Sequence, residues 1–115
     1  MAEDCIFCQI AARQLPADIV YEDEDFLAFR DILPRAPTHV LVIPKAHITS
    51  VAELSEEQEE LPGRLVILAK KLAEKEGIAG KGYRLVINCG TEGGQLVPHL
   101  HLHLIGGRQL DARLG

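Results

Sequence analysis

Apolar residues fall along this chain in short runs broken by acidic, proline or glycine positions, with one longer stretch at helical spacing. Ile6, Phe7, Ile10 and Ala11 recur as on one face of a short helix that should end before Leu15 and Pro16. Residues 19–21 and 26–29 are brief apolar runs separated by Glu22, Asp23, Glu24 and Asp25, a pattern that predicts a hairpin. A proline-punctuated loop over 31–37 then leads into residues 39–43, nearly all apolar and β-branched, as for a strand buried on both faces and closed by Pro44. Ser55, followed three residues later by Gln58, forms a capping box and predicts a helix start. Leu61, Leu65, Leu68 and Leu72 then make one apolar stripe, with Gly77 as the natural C-terminal cap. Pro62 interrupts that helix, which either kinks there or restarts at the proline. Val66 and Ile67 widen the stripe, which fits either a helix-to-helix dimer contact or a well-buried helix in a monomer. Residues 83–88 read as a further strand, and residues 90–95 as a glycine-rich loop.

The last strand reading, from Pro98 to Gly106, carries the chemistry. His99, His101 and His103 alternate with Leu100, Leu102 and Leu104, so a strand would place three imidazoles on one face and three leucines on the other. Such convergence suits either a metal or a substrate phosphate. Two more histidines, His39 and His47, open and follow the apolar strand over 39–43.

Composition narrows the picture. At 115 residues, the chain is expected to form a single domain over 1–115, with a core that needs no disulfide staples. A net charge of −5 argues against nucleic-acid binding, which rests on surplus Lys and Arg. No apolar run approaches the roughly 20 residues that span a bilayer, so no membrane partner is expected. The acidic start, Ala2, Glu3 and Asp4, lacks the marks of a signal peptide, and the expected location is cytoplasmic. In that reducing compartment Cys5 and Cys8 read as a metal knuckle or redox pair before they read as a disulfide, and Cys89 stands apart.

From residue 39 to 107 the sequence resembles the histidine-triad nucleotide-binding family, in particular its nucleoside phosphoramidase branch, and the match covers nearly the whole chain. The residues that carry the resemblance are Asp31-Ile32-x-Pro34-x-Ala36-Pro37-Thr38-His39, Leu41-Val42-Ile43-Pro44-Lys45-x-His47-Ile48, Lys81-Gly82-Tyr83-Arg84, Asn88, Gly93-Gly94-Gln95 and His99-x-His101-x-His103-x-x-Gly106-Gly107-Arg108-Gln109. An alternating histidine triplet alone is a weak signal, because zinc enzymes also use one; all these segments in order are specific. The resemblance implies an α+β fold with a five-stranded antiparallel sheet, one long helix and one short helix, assembled as a homodimer.

It further implies that His101 attacks the α-phosphorus of a nucleotide and forms a nucleotidyl-histidine intermediate that water hydrolyses. That role needs a neutral ring with a free nitrogen, which a carbonyl acceptor on the other nitrogen would secure. By the same resemblance His103 contacts a nonbridging oxygen and His39 completes the hydrogen-bond network. Asn88, Gly94 and Gln95 belong to the phosphate site, where glycine lets backbone N–H groups come close, and Asp31 accepts from the ribose hydroxyls. Ile6, Phe7, Ile10, Leu15, Phe29 and Ile32 match the apolar cleft around a purine base; without the family all six read as core.

Two cysteines at knuckle spacing need two further ligands for tetrahedral zinc. The resemblance implies one structural zinc per chain, held by Cys5, Cys8, His47 and His99, with no metal needed for the chemistry. The implied activity is hydrolysis of a purine nucleoside 5′-phosphoramidate or acyl-nucleotide to the nucleoside monophosphate. Alternatives are a dinucleoside polyphosphate hydrolase and a zinc-stabilised nucleotide-binding or regulatory protein with vestigial catalysis. Three departures bear on that choice. Leu96 stands where the branch usually has a serine or threonine, Pro98 replaces an aromatic residue, and the tail over 111–115 lacks the branch's aromatic, proline-rich end.

Overall fold

The computed structural model describes residues 4–114. A short helix α1 (Ile6–Ala11) is followed by strands β1 (Ile19–Glu22), β2 (Phe26–Arg30) and β3 (Thr38–Pro44), then by a long helix α2 (Glu60–Lys75) and strands β4 (Tyr83–Val86) and β5 (Leu102–Gly106). The strands form one sheet in the order β1-β2-β3-β5-β4, every neighbouring pair antiparallel. The expected α+β fold, with its five-stranded antiparallel sheet and its one long and one short helix, is the one found.

The two-residue period of the strands sorts side chains onto two cores. Phe26 and Ala28 of β2, Val40 and Val42 of β3, and Leu102 and Leu104 of β5 face α2, where they meet Leu65, Leu68, Ala69 and Leu72. Leu27, Phe29, Leu41 and Ile43 face the other way and pack on Cys5, Phe7 and Ile10 of the α1 segment. Leu65, Leu102 and Leu104 are fully buried, each worth about 1.5–3 kcal/mol over its exposed state. The odd-numbered face of β3 and β5 therefore points His39 and His103 toward α1. The α2 layer is left to pack on hydrocarbon alone.

Three elements differ from the sequence expectations. The histidine segment is extended, but only His103 lies in the regular strand, because the backbone groups before it are bonded elsewhere. The Leu100 N–H donates to Ile48 O at 2.6 Å, the His99 N–H to Val97 O at 2.8 Å, and the His99 carbonyl serves the His101 ring. Helix α2 begins at Glu60 rather than Ser55. The capping box instead closes a separate 3₁₀ turn (Glu56–Gln58), with the Ser55 N–H donating to Gln58 Oε1 at 3.1 Å. Pro62 then falls in the first turn of α2, where its missing N–H has no helical partner to lose. Strand β4 ends at Val86, opposite His103, because β5 offers no regular partner beyond. Gly77 caps α2 with φ 79°, as its position suggested. Val66 and Ile67 are 41% and 50% exposed on α2, so the widened stripe is not absorbed within one chain.

Candidate active site and metal centre

A cleft of about 480 Å³ opens between α1, the start of the loop after β2, and the 88–97 loop. Its apolar end is lined by Ile6, Phe7, Ile10, Leu15, Phe29 and Ile32, the six residues read as a base pocket. Asp31, Asn88, Gly94, His101 and His103 line it as well. Gln95 and His39 do not reach its wall. Gln95 is drawn away by the loop it braces: its Nε2 donates to Thr49 O at 2.7 Å and Val97 O at 3.0 Å, and its Oε1 accepts from Gly90 N at 2.9 Å. The expected phosphate-facing N–H groups of Gly94 and Gln95 are also occupied, bonding Thr91 O and Gly90 O inside the turn. Gly93 is needed there for space, since a Cβ would lie 2.2 Å from Cys89 O. Gly94 is needed for its φ of 83°. Asn88 donates one amide hydrogen to Gly93 O at 2.8 Å, which leaves its second available at the cleft.

The sequence reading missed Pro16, Ala17, Arg30, Arg35, Leu41 and Val97 among the lining residues, and Arg30 is tied up by Glu76. Arg35 sits at an unspecified place of the 31–39 motif, so only the fold could bring its cation to the cleft. A larger groove, about 830 Å³, runs along α2, but its Arg64 is ion-paired to Asp25 and stacked over Phe26, and no cluster of histidines or cysteines lies there.

Hydrogen-bond partners assign the tautomer of each ring at the site. His101 Nδ1 donates to His99 O at 2.7 Å, so its lone pair is on Nε2. His39 Nδ1 accepts the Arg35 backbone N–H at 3.0 Å, which places its proton on Nε2. That proton is offered to His103 Nδ1 at 2.9 Å, with Asp31 Oδ2 also close at 3.3 Å. His103 is then left with Nε2–H as a donor. The Asp31–His39–His103 group has the residue types of a metal site. With His39 Nδ1 already accepting, however, a metal on Nε2 would demand an imidazolate, and a hydrogen-bond relay is the better reading.

Burial keeps these rings neutral. It holds His101 and His39 below the ordinary histidine value, against the opposing pull of the His99 carbonyl on His101 and of Asp31 on both. His103 is pushed down to about 4, by burial first and then by the repulsion it would meet from His101 and His39 were they protonated. A neutral, desolvated imidazole with a fixed lone pair is a competent nucleophile toward phosphorus.

The second cluster lies behind the first. Cys5, Cys8, His47 and His99 present ligand atoms that all lie within 4.8 Å of one another. His99 Nδ1 lies 3.2 Å from Cys5 Sγ and 3.5 Å from Cys8 Sγ, and His47 Nδ1 lies 3.2 Å from Cys8 Sγ. Four ligands on a tetrahedron with bonds of about 2.0–2.3 Å stand roughly 3.5 Å apart, so the donors are spaced for such an ion. His99 Nε2 donates to Pro44 O at 2.8 Å, leaving the Nδ1 lone pair toward the sulfurs. Burial and the neighbouring Cys5 raise the Cys8 thiol to about 11, a penalty that a bound dication reverses by favouring thiolate. Two soft sulfurs with two imidazoles fit zinc.

With this geometry in place, comparison with known proteins is direct. The HIT domain model matches residues 12–110, a span that leaves the cysteine pair outside. The purine nucleoside phosphoramidase of Escherichia coli K12 is 52% identical over 114 residues, covering 99% of this chain and 96% of that protein. A HIT family hydrolase from Legionella pneumophila superimposes with a TM-score of 0.95 at 51% identity, covering 97% of this chain and 100% of the other. A zinc-bound histidine triad family protein from Mycobacterium smegmatis does so with a TM-score of 0.80 at 32% identity, over 97% of this chain and 81% of that one.

Proposed function

This chain belongs to the HIT domain family, and on that premise we propose that it hydrolyses purine nucleoside 5′-phosphoramidates, or the related acyl-nucleotides, to the nucleoside monophosphate. The observation that carries the reading is the bond from His101 Nδ1 to His99 O, which commits Nε2 to the nucleophile's role. The apolar end of the cleft takes the purine, and Asp31 accepts from the ribose hydroxyls, a part it can play because it lines the cleft. His101 Nε2 attacks the α-phosphorus; as the N–P bond to histidine forms, the P–N bond to the leaving amine breaks. The amine departs with the bonding pair and takes a proton from water. Leu96, lining the cleft and 89% exposed, supplies no hydroxyl and leaves that side open to solvent.

His103 donates Nε2–H to a nonbridging oxygen, and His39 holds it in that tautomer through the 2.9 Å bond. Arg35 adds positive charge near this pair, as its effect on both rings indicates. A second water then attacks phosphorus and gives a proton to the hydroxide left by the first step; the histidine–phosphorus bond breaks, its electrons return to Nε2, and the monophosphate leaves. Cys5, Cys8, His47 and His99 would hold a zinc ion that would supply structure rather than chemistry, fastening α1 and the 99–103 segment to each other.

Two identical chains are proposed to pair through α2, where Val66 and Ile67 stand exposed, and the free edge of β4. Among the described residues no helix is long and apolar enough to cross a membrane, and a reducing cytoplasm suits the free thiols. The reading is tested by offering adenosine 5′-phosphoramidate and a diadenosine polyphosphate to the wild type and to His101→Gly. Turnover of the phosphoramidate by the wild type alone supports it. Exclusive turnover of the polyphosphate moves the substrate class, and AMP binding without turnover of either removes the enzyme.

A further inference from the structure

Phe7 touches both sites at once. Its ring meets His101 edge-on at 5.1 Å and 90°, His99 at 5.9 Å and 68°, and Phe29 at 5.3 Å and 72°. It is 4% exposed and also forms part of the cleft wall. The helix that carries it has six residues, well under the 12–15 at which an isolated helix becomes even marginally stable, so its position depends on how it is fastened. Beside the packing of Phe7 and Ile10 on Leu27, Phe29, Leu41 and Ile43, that fastening includes the cysteine pair. Cys5 is the N-cap, its sulfur accepting the Cys8 N–H at 3.3 Å, and both sulfurs lie against His99. A ligand that fixes these sulfurs fixes Phe7, and Phe7 in turn bounds the space available to the His101 ring and to a base.

We propose that Phe7 is a positioning residue that couples the Cys5–Cys8–His47–His99 centre to the nucleotide cleft, so that metal and purine nucleotide bind cooperatively. The inference rests on the zinc reading given above and goes beyond a structural staple. A staple stabilises the whole fold whether or not a nucleotide is present; a coupled centre changes nucleotide affinity, and the nucleotide must change metal affinity by the same factor. His99 gives the coupling a second strand, since its ring meets the sulfurs while its carbonyl holds His101.

The experiment measures the zinc affinity of the full chain by chelator competition, with and without saturating AMP, in the wild type and in Phe7→Leu. The expected result is zinc binding about fivefold or more tighter with AMP in the wild type, and a clearly smaller factor in Phe7→Leu, where only the path through His99 remains. Zinc bound equally well with and without AMP overturns the coupling and leaves the metal reading standing. No zinc bound at all overturns both. Coupling that survives unchanged in Phe7→Leu overturns the part given to this residue. Should Phe7→Leu fail to fold, the wild type loaded with cobalt(II) decides the matter. A shift of its thiolate-to-cobalt absorption on adding AMP supports the coupling, and an unmoved spectrum overturns it.

Discussion

The carbonyl oxygen of His99 accepts the Nδ1–H of His101 at 2.7 Å, while the His99 ring turns to Cys5, Cys8 and the Pro44 carbonyl. One residue thus belongs to the Cys5–Cys8–His47–His99 cluster by its side chain and to the proposed nucleophile by its backbone. The consequence is that damage at His99 should reach stability first. His99→Ala leaves Pro44 O without its donor and the centre without a ligand. We expect a loss of about 2–5 kcal/mol in chemical denaturation, more than for His103→Ala. Elemental analysis should find one zinc per chain in the wild type and little in Cys8→Ser.

Stability should depend on pH through His103. Its folded value, about 4, lies below the 6.5 of the unfolded chain, so between these values the unfolded state binds more protons. Stability is then complete above about pH 6.5 and falls as the pH drops toward 4. Denaturation across that window should show a shallower slope for His103→Gln than for the wild type, and equal slopes would contradict the assignment.

Leu96 tests the leaving-group side. Replacing this exposed cleft residue by serine restores a donor where the phosphoramidase branch has one. Leu96→Ser should raise kcat for a phosphoramidate by about tenfold or more with AMP affinity little changed. Steady-state kinetics on the two proteins measure it, and an unchanged kcat shows that water already serves that step fully.

The exposed stripe on α2 makes a separate claim. Ile67→Glu should convert a dimer to a monomer in sedimentation equilibrium, because a charge cannot be buried there without a partner. A wild type that sediments as a monomer would remove the assembly from the account.

Much of this was legible in the sequence because the strands are short and strongly patterned. The continuous apolar run over 39–43 marks β3 as a strand buried on both faces, and the spacing of Leu65, Leu68 and Leu72 marks the helix face. The helix start was misjudged because Ser55 and Gln58 satisfy a local cap that serves a 3₁₀ turn as well as a helix. The histidine strand was overextended because its side-chain pattern is perfect. What stops the ladder is competition for backbone partners, among them Ile48 O for the Leu100 N–H, and no local pattern encodes that. Arg35 was invisible for a similar reason: its place at the cleft depends on how the 31–39 loop folds back to give His39 its backbone donor. Gln95 was placed by resemblance on the phosphate, whereas its amide spans the loop to Thr49 and Val97.

The central claim is that His101 becomes covalently attached to the nucleotide. Rapid quenching of the zinc-loaded enzyme with adenosine 5′-phosphoramidate, followed by mass spectrometry of its peptides, tests this directly. The account predicts one adenylyl group on the peptide containing His101, absent from His101→Gly, and decaying as AMP appears. Steady turnover with no adduct at any quench time, or undiminished turnover by His101→Gly, would contradict it.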